Sequence, residues 1–506
     1  MIDLSKLEEN IKIENHKPYW SDWYENEKPA LEKVFRESLI EIQHIGSSSV
    51  RGLVSKPVID IVIGLKDFEI TKSQIEDIKN EGYEYFGQLH KTQRRFFARK
   101  RGNKNFNLQI VPYKGNEWKQ YLAFRDYLRN HKDAVNEYSN IKIKAAKIGK
   151  EKLLEYHSYK VKVVDEILKK ALEYDELKEN ILKVLNKFDV GILKSNPERV
   201  FGGLLHKMYK IEAEKGSFAV KVLNPLIMRR GEKVMENYIF SEKVTRIAKE
   251  NGIPAIHAIG DRDFIHHIND EHYMFFKWVD AKSILPSEVD KEHCTKVGKI
   301  LAKLHSIDFS CLYEKVYVNE VKVIDWKKYL KDKSEISEVL ENKVEKLYKW
   351  DKNANGSATS VHRNQIISHR DMDCKNVLWD DNNNPTIIDW EASGYINPLQ
   401  ELVDVGFNWG GIETYNFNLE NFKIIVESYI KHGGRMKEDI EAVLNFGYKG
   451  KLEWLEYNIK RSLGVECSSE EEKQIGIGEV KKTIEVLGRY EELFPICEEI
   501  LREYAN

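Results

Sequence analysis

Residues 369–376 read His-Arg-Asp-Met-Asp-Cys-Lys-Asn, and Asp389 follows thirteen residues after Asn376, inside Ile388-Asp389-Trp390-Glu391. Those residue types at that spacing suit phosphoryl transfer. The reaction needs a carboxylate beside the attacking hydroxyl and oxygen ligands on a magnesium ion that screens the phosphates. Asp371 meets the first need, and Asn376 and Asp389 meet the second. The same stretch predicts its own frame. Apolar Ile366-Ile367 lead into the loop, Val377-Leu378-Trp379 and Thr386-Ile387-Ile388 read as paired strands, and residues 380–385 turn between them. Such a hairpin returns Asn376 and Asp389 to one end. A polar hairpin with chance acids is the plain alternative, and the full arrangement leaves it little room.

A kinase also needs a lysine on the phosphates and a helical acid to hold that lysine. Phe218-Ala219-Val220-Lys221-Val222-Leu223 reads as a strand carrying Lys221. Upstream, Gly202-Gly203 would open a hairpin over a triphosphate, although any tight turn uses such a pair. The helix expected over about 233–251 offers Glu236 and Glu242. Glu242 is preferred, because Ile253-Pro254 has already left the helix eleven residues on. Tyr273-Met-Phe-Phe-Lys-Trp-Val-Asp280 fits a hinge strand beside an adenine, or equally a plain core strand.

With 506 residues, 42% hydrophobic and 32% charged, the chain has room for several ordinary domains. Lys+Arg 80 against Asp+Glu 82 gives no global pull towards nucleic acid or anionic membrane. Five scattered cysteines suggest neither a disulfide framework nor a zinc site, and with no leader-like or membrane-spanning stretch the expected location is cytoplasmic. The expected organisation is an N-terminal domain over 1–172, a helical linker over 173–195, a small lobe over 196–280 and a helical lobe over 281–506. Residues 351–360, rich in breakers, read as a polar loop before the catalytic segment, either a lid or a plain connection.

The N-terminal part has its own candidates. His44-Ile-Gly-Ser47-Ser-Ser-Val precedes Lys56-Pro-Val-Ile-Asp60-Ile-Val62. A Gly-Ser turn offers backbone N–H groups to a phosphate, and Asp60 on the next strand could hold a metal near it. The alternative is a Ser-rich cap followed by a core strand. Residues 91–104 hold seven Lys/Arg and no acid. That pattern fits a basic hairpin with Phe96 and Phe97 packed inward better than a nucleic-acid surface.

On these motifs, residues from about 196 onward resemble the aminoglycoside phosphotransferase and choline kinase superfamily. Further matches are Ala302-Lys-Leu-His305 and the segment from Asn397-Pro398 to Asp404. The resemblance implies a bilobal protein-kinase-like fold, with Asp371 orienting the acceptor hydroxyl, Asn376 and Asp389 on magnesium, and Lys221 on the phosphates of ATP or GTP. It implies an acceptor among small hydroxyl compounds, lying against a region that holds Trp409, Glu413, Trp454, Glu456 and Tyr457. From 413 onward there are 19 acidic and 13 basic residues, an excess that favours a cationic acceptor or merely a solvated surface.

Residues from about 15 to 172 resemble the GrpB family, which implies a nucleotidyltransferase-like fold. The motifs that carry this are those around Ser47 and Asp60, Arg95-Phe-Phe, Asn107-Leu-Gln-Ile-Val and Phe124-Arg-Asp-Tyr-Leu-Arg129. Val62 and Gln109 stand where a two-metal site would need acids, so Asp60 alone cannot build one. The expected class is therefore α+β throughout: a kinase-like enzyme acting on a small molecule, fused to a GrpB-like domain. The alternatives are a bifunctional enzyme whose first domain transfers nucleotides, or a first domain that senses a ligand or drives oligomerisation. The sequence gives no oligomeric state.

Overall fold

The computed structural model describes residues 12–88, 93–148, 153–200, 205–260, 263–312, 323–331, 335–414, 416–437, 439–465, 467 and 469–505. The chain divides into two compact units, Met1–Val190 and Gly191–Asn506.

The first unit runs α1 (Tyr19–Phe35), β1 (Leu39–Ile45), β2 (Ile59–Leu65), α2 (Lys72–Asn80), β3 (Glu84–Gln88), β4 (Phe96–Lys100), β5 (Phe106–Pro112), α3 (Asn116–Asn130), α4 (Lys132–Ile148) and α5 (Leu153–Leu185). Among the described residues its sheet has the order β1-β2-β5-β4-β3. β2 and β5 are parallel, with Asp60 beside Asn107 and Val62 beside Gln109. Side chains alternate across a strand. Ile59, Ile61 and Ile63 therefore join Trp20, Leu31 and Phe35 of α1 in one apolar layer. Asp60 and Val62 turn to the other face, where Val62 belongs to a cluster with Trp118 of α3. Helices α3, α4 and α5 pack on one another. Cover on both faces explains why Ile59–Leu65 is apolar almost end to end.

The turn after β1 brings Gly46 against Asp60. Gly46 has φ +69°, and a Cβ added there would lie 2.5 Å from Asp60 Oδ2. Gly46→Ala should therefore cost the first unit about 1–3 kcal/mol, read as a lower denaturant midpoint.

Two stretches singled out in the sequence find their places in the first unit. Residues 173–185, expected as part of a helical linker over 173–195, are the end of the 33-residue helix α5, with Leu177, Ile181, Val184 and Leu185 buried, and they fall within the first unit. The basic stretch around 94–104 follows the hairpin expectation, with β4 paired to β3 and β5, and its side chains are tied down locally. Lys100 pairs with Glu27 at 2.8 Å, Arg95 donates to Tyr121 at 2.6 Å, and Phe96 stacks on Phe68 at 4.3 Å between centroids.

The second unit opens with β6 (Glu198–Val200), β7 (Lys207–Ala213), β8 (Gly216–Leu223), the short α6 (Pro225–Met228), α7 (Glu232–Glu250), β9 (His266–Ile268) and β10 (Glu271–Lys277). Among the described residues these strands form a sheet of order β6-β7-β8-β10-β9 with antiparallel pairs. After β10 the chain crosses towards a helical lobe, and Lys282 bridges to Trp379. That lobe comprises α8 (Lys291–His305), α9 (Glu335–Glu341), α10 (Val344–Val361), β11 (Ile366–Ser368), β12 (Val377–Trp379), β13 (Pro385–Ile387), β14 (Gly394–Ile396), α11 (Pro398–Trp409), α12 (Leu419–Lys431), α13 (Ile440–Phe446), α14 (Tyr448–Ser462) and α15 (Glu470–Tyr504).

The expected loop at 351–360 lies wholly inside α10. Trp350, Ala354, Ala358 and Val361 recur at helical spacing and are buried, and Asp351 is fully buried, its Oδ2 accepting the Ile324 N–H at 2.7 Å. Burial of that stripe outweighs the weak helix propensity of its Asn and Gly residues. The α+β expectation holds, with a five-stranded sheet followed by a largely helical lobe.

Candidate active site

β11 delivers the loop that starts at His369, and the β12–β13 hairpin closes it. Val377 pairs with Ile387, and the Ile388 N–H donates to Asn376 O at 2.9 Å. The hairpin thus sets Asn376 beside the residue that precedes Asp389. Asn376 Nδ2 donates to Asp371 Oδ2 at 2.9 Å and to Asp371 O at 2.8 Å. Asp373 caps the intervening turn, accepting from the Lys375 and Asn376 N–H groups at 3.0 and 3.1 Å. Asp371, Asn376 and Asp389 are therefore gathered at one end of one hairpin.

His369 is fully buried and braces this loop. Its Nδ1 accepts from the Asp371 N–H at 3.2 Å, so its Nε2 carries the proton and donates to Ile388 O at 3.0 Å. Burial lowers its pKa, in keeping with a neutral ring. Arg370 has φ +70° and Asp389 has φ +59°, left-handed conformations rare outside glycine. The first is held by Glu401, which accepts the Arg370 N–H at 2.6 Å and contacts His305 Nε2 at 2.8 Å. His305 Nδ1 in turn meets Tyr429 OH at 2.9 Å. Asn397 caps α11, and Trp409 is fully buried with Nε1 donating to Met372 O at 2.9 Å. Trp409 thus supports the loop from behind rather than facing an acceptor.

Burial, and then the charge of Asp373, push the Asp371 carboxyl up to about 7. A carboxyl poised there suits a group that accepts a hydroxyl proton near neutral pH.

Lys221 lies on β8 opposite Met274 of β10 and is 9% exposed. Its Nζ donates to Asp389 Oδ1 and to Glu391 Oε2, both at 2.6 Å. Burial opposes its charge, but these two carboxylates hold its pKa above the usual lysine range. Glu391 also meets His206 Nε2 at 3.2 Å. His206 Nδ1 accepts from the Asn224 N–H at 3.0 Å, so its Nε2 is the protonated nitrogen that faces Glu391. Burial works against Glu391 ionising, and Lys221 with His206 nonetheless holds its pKa well below the usual range.

The expected partner, Glu242, is not on Lys221. It is buried on α7, 3.2 Å from Arg246 Nε and 3.9 Å from His257 Nδ1. Glu236, the other candidate, is exposed. Glu391, quoted in the motif but given no role there, takes the place beside the lysine. Its signal was the second carboxylate of Asp-Trp-Glu, two residues from the metal candidate.

Burial pushes the Glu242 carboxyl up to about 7. An acid whose folded pKa is raised favours the fold while protonated, and that stability is lost as pH rises from its ordinary value through about 7. Relative to Glu242→Gln, the wild type should therefore lose stability between about pH 5 and about pH 8, measured by denaturant midpoints.

Gly202 and Gly203 lie outside the described residues. Of the acceptor-side candidates, Glu413 pairs with Lys482 at 2.6 Å and is close enough to act on the charges of Asp373 and Lys375. Trp454 stacks on Tyr457 at 5.5 Å, while Glu456 is engaged by Tyr329 at 2.7 Å and Lys328 at 3.0 Å. In the first unit, Asp60 accepts from Asn107 Nδ2 at 2.9 Å and lies against Gly46, next to Ser47.

The donors near Lys221 are oxygens, as a hard cation requires. Asn376 spends its amide N–H groups on Asp371, which leaves its amide oxygen as a donor, and Asp389 and Glu391 already converge on one ammonium. Among the described residues no three His, Cys, Asp or Glu side chains form a metal cage. Magnesium is ordinarily held by one or two carboxylates and completed by substrate phosphates, so these residues fit it.

Two family models match the chain: GrpB protein over residues 10–170 and Phosphotransferase enzyme family over residues 198–423. The glutamate-rich protein GrpB of Alkalihalophilus pseudofirmus is 29% identical over 147 residues, covering 28% of this chain and 83% of that protein. The UPF0157 protein YqkA of Bacillus subtilis is 34% identical over 133 residues, covering 26% of this chain and 38% of that protein. Among solved structures, spectinomycin phosphotransferase APH(9)-Ia with ADP and spectinomycin aligns with TM-score 0.50 at 12% identity, over 62% of this chain and 98% of that one. At that identity the likeness is one of fold. No helix among the described residues is long and apolar enough to cross a membrane. The chain therefore joins a GrpB domain, residues 10–170, to a domain of the phosphotransferase enzyme family, residues 198–423.

Proposed function

We propose that the second unit is an ATP- and magnesium-dependent kinase that phosphorylates a hydroxyl of a small molecule. The observation that carries this reading is the single cluster of Asp371, Asn376, Asp389 and Lys221, built on one hairpin and one facing strand. In it, Asp371 orients the acceptor hydroxyl and takes its proton as the oxygen attacks the terminal phosphorus in line, while the bond from that phosphorus to the bridging oxygen breaks and ADP leaves. Lys221 exchanges its carboxylate partners for phosphate oxygens. Asn376 and Asp389, with Glu391 beside them, would hold magnesium, which screens the phosphate charge when bound. The fold neighbour that holds ADP and spectinomycin supports a nucleotide donor and a small-molecule acceptor.

An amine-bearing alcohol is the acceptor class we test first, although Asp373 is paired with Lys375 at 2.7 Å and Glu413 with Lys482 at 2.6 Å. The test is ADP release by the full chain with ATP and magnesium against separate pools of aminocyclitols, choline-like amines, neutral sugars and nucleosides. Release with an amine-bearing pool, lost in Asp371→Asn, supports the reading. Nucleotide binding with no acceptor in any pool would overturn the acceptor class.

A further inference from the structure

The sheet of the second unit carries a pair of imidazoles that the candidate active site does not use. β9 and β10 are joined by the two-residue turn Asn269–Asp270, with Asn269 at φ +55°, and that turn sets His267 directly opposite His272. Directly opposite residues of an antiparallel pair share a face, with Cβ atoms about 4.5–5.5 Å apart. The two rings accordingly meet at 4.6 Å between centroids, tilted by 35°. Among the described residues β9 is the edge of its sheet, with His267 exposed and His272 half-buried.

His272 Nδ1 is buried and has no hydrogen-bond partner among the described residues. A buried polar atom without a partner costs free energy, and a bound ion is one way to satisfy it. The spacing of the rings suits an ion. Two imidazoles on one metal, each nitrogen about 2.0–2.1 Å from it, hold their centroids about 4.5–5.1 Å apart at octahedral or tetrahedral angles. Imidazole selects zinc, copper or nickel, whereas magnesium and calcium take oxygen. Glu271, the acid beside His272, is engaged by the Tyr273 hydroxyl. No third His, Cys, Asp or Glu completes a cage among the described residues, so water would fill the other positions.

We propose that the β9–β10 hairpin binds a divalent ion of the zinc, copper or nickel class between His267 and His272. The ion ties a three-residue edge strand to β10, the strand whose Met274 stands opposite Lys221. It stabilises that part of the sheet as its occupancy rises. The site uses none of the residues assigned to phosphoryl transfer and stands whether or not the chain is a kinase.

Copper(II) at one equivalent is the first probe of the full chain, read by pulsed EPR, in which modulation from the remote ring nitrogens counts coordinated imidazoles. The wild type should show two, and His267→Gln and His272→Gln at most one each. Each variant should also weaken copper binding by more than about tenfold, the scale on which even an outer-shell partner counts. Zinc is the second probe, and it should slow amide exchange in peptides spanning 264–276 in the wild type and in neither variant. His267 is exposed, so His267→Gln leaves the packing of the sheet intact. Fewer than two imidazoles in the wild type, or two persisting in both variants, would mean an adventitious ion only and overturn the proposal. Zinc that leaves 264–276 unprotected would overturn it equally.

Discussion

Asp371→Asn is expected to lower turnover by about a thousandfold, roughly 4 kcal/mol of transition-state stabilisation, with nucleotide affinity changed by less than about threefold. The substitution isolates charge from geometry. Asn376 Nδ2 donates to Asp371 Oδ2 and also to its backbone oxygen, so an amide oxygen at the same place keeps the loop closed. The His369 bridge from the Asp371 N–H to Ile388 O is likewise untouched. What disappears is the base that takes the hydroxyl proton. Steady-state ADP release on the acceptor from the pools, set beside calorimetric binding of ATP with magnesium, reads both quantities. Equal loss of both would mean that Asp371 holds the nucleotide rather than the acceptor.

Most of the geometry of the candidate site was legible because it is local. From Ile366 to Glu391 the chain is one strand, one loop and one hairpin, and the β12–β13 pairing brings Asn376 and Asp389 to one end, while Glu401 and Trp409 brace the loop from beyond that stretch. Sequence spacing says much less about partners chosen by tertiary packing. A glutamate on α7 was expected to hold Lys221, but which face of a helix meets the sheet is set by lobe packing. Here the α7 face carrying Tyr238, Ser241 and Glu242 is buried, Ser241 Oγ donates to Glu391 O at 3.2 Å, and Glu242 turns to Arg246 and His257.

The 351–360 segment misled for a related reason. Its breakers are helix-tolerant when one stripe is buried, and that stripe could be weighed only against its surroundings.

The second large effect distinguishes Glu391 from Glu242 directly. Glu391→Gln should lower kcat/KM for ATP by about a hundredfold, roughly 2.7 kcal/mol, whereas Glu242→Gln should change it by less than about fivefold. Lys221 is buried between two carboxylates, and Glu391 is also the one that His206 orients. Neutralising Glu391 leaves a buried ammonium with Asp389 as its remaining anion, so the lysine competes with the metal for the carboxylate the metal needs. Neutralising Glu242 removes an ion pair with Arg246 whose carboxyl already resists ionisation, and none of its contacts reaches Lys221. Kinetics of the two variants over a range of magnesium concentrations sharpen the comparison. Competition for Asp389 predicts that added magnesium partly restores Glu391→Gln and does nothing for Glu242→Gln. The opposite ranking would mean that nucleotide binding draws α7 inward and exchanges the lysine's partner during the cycle.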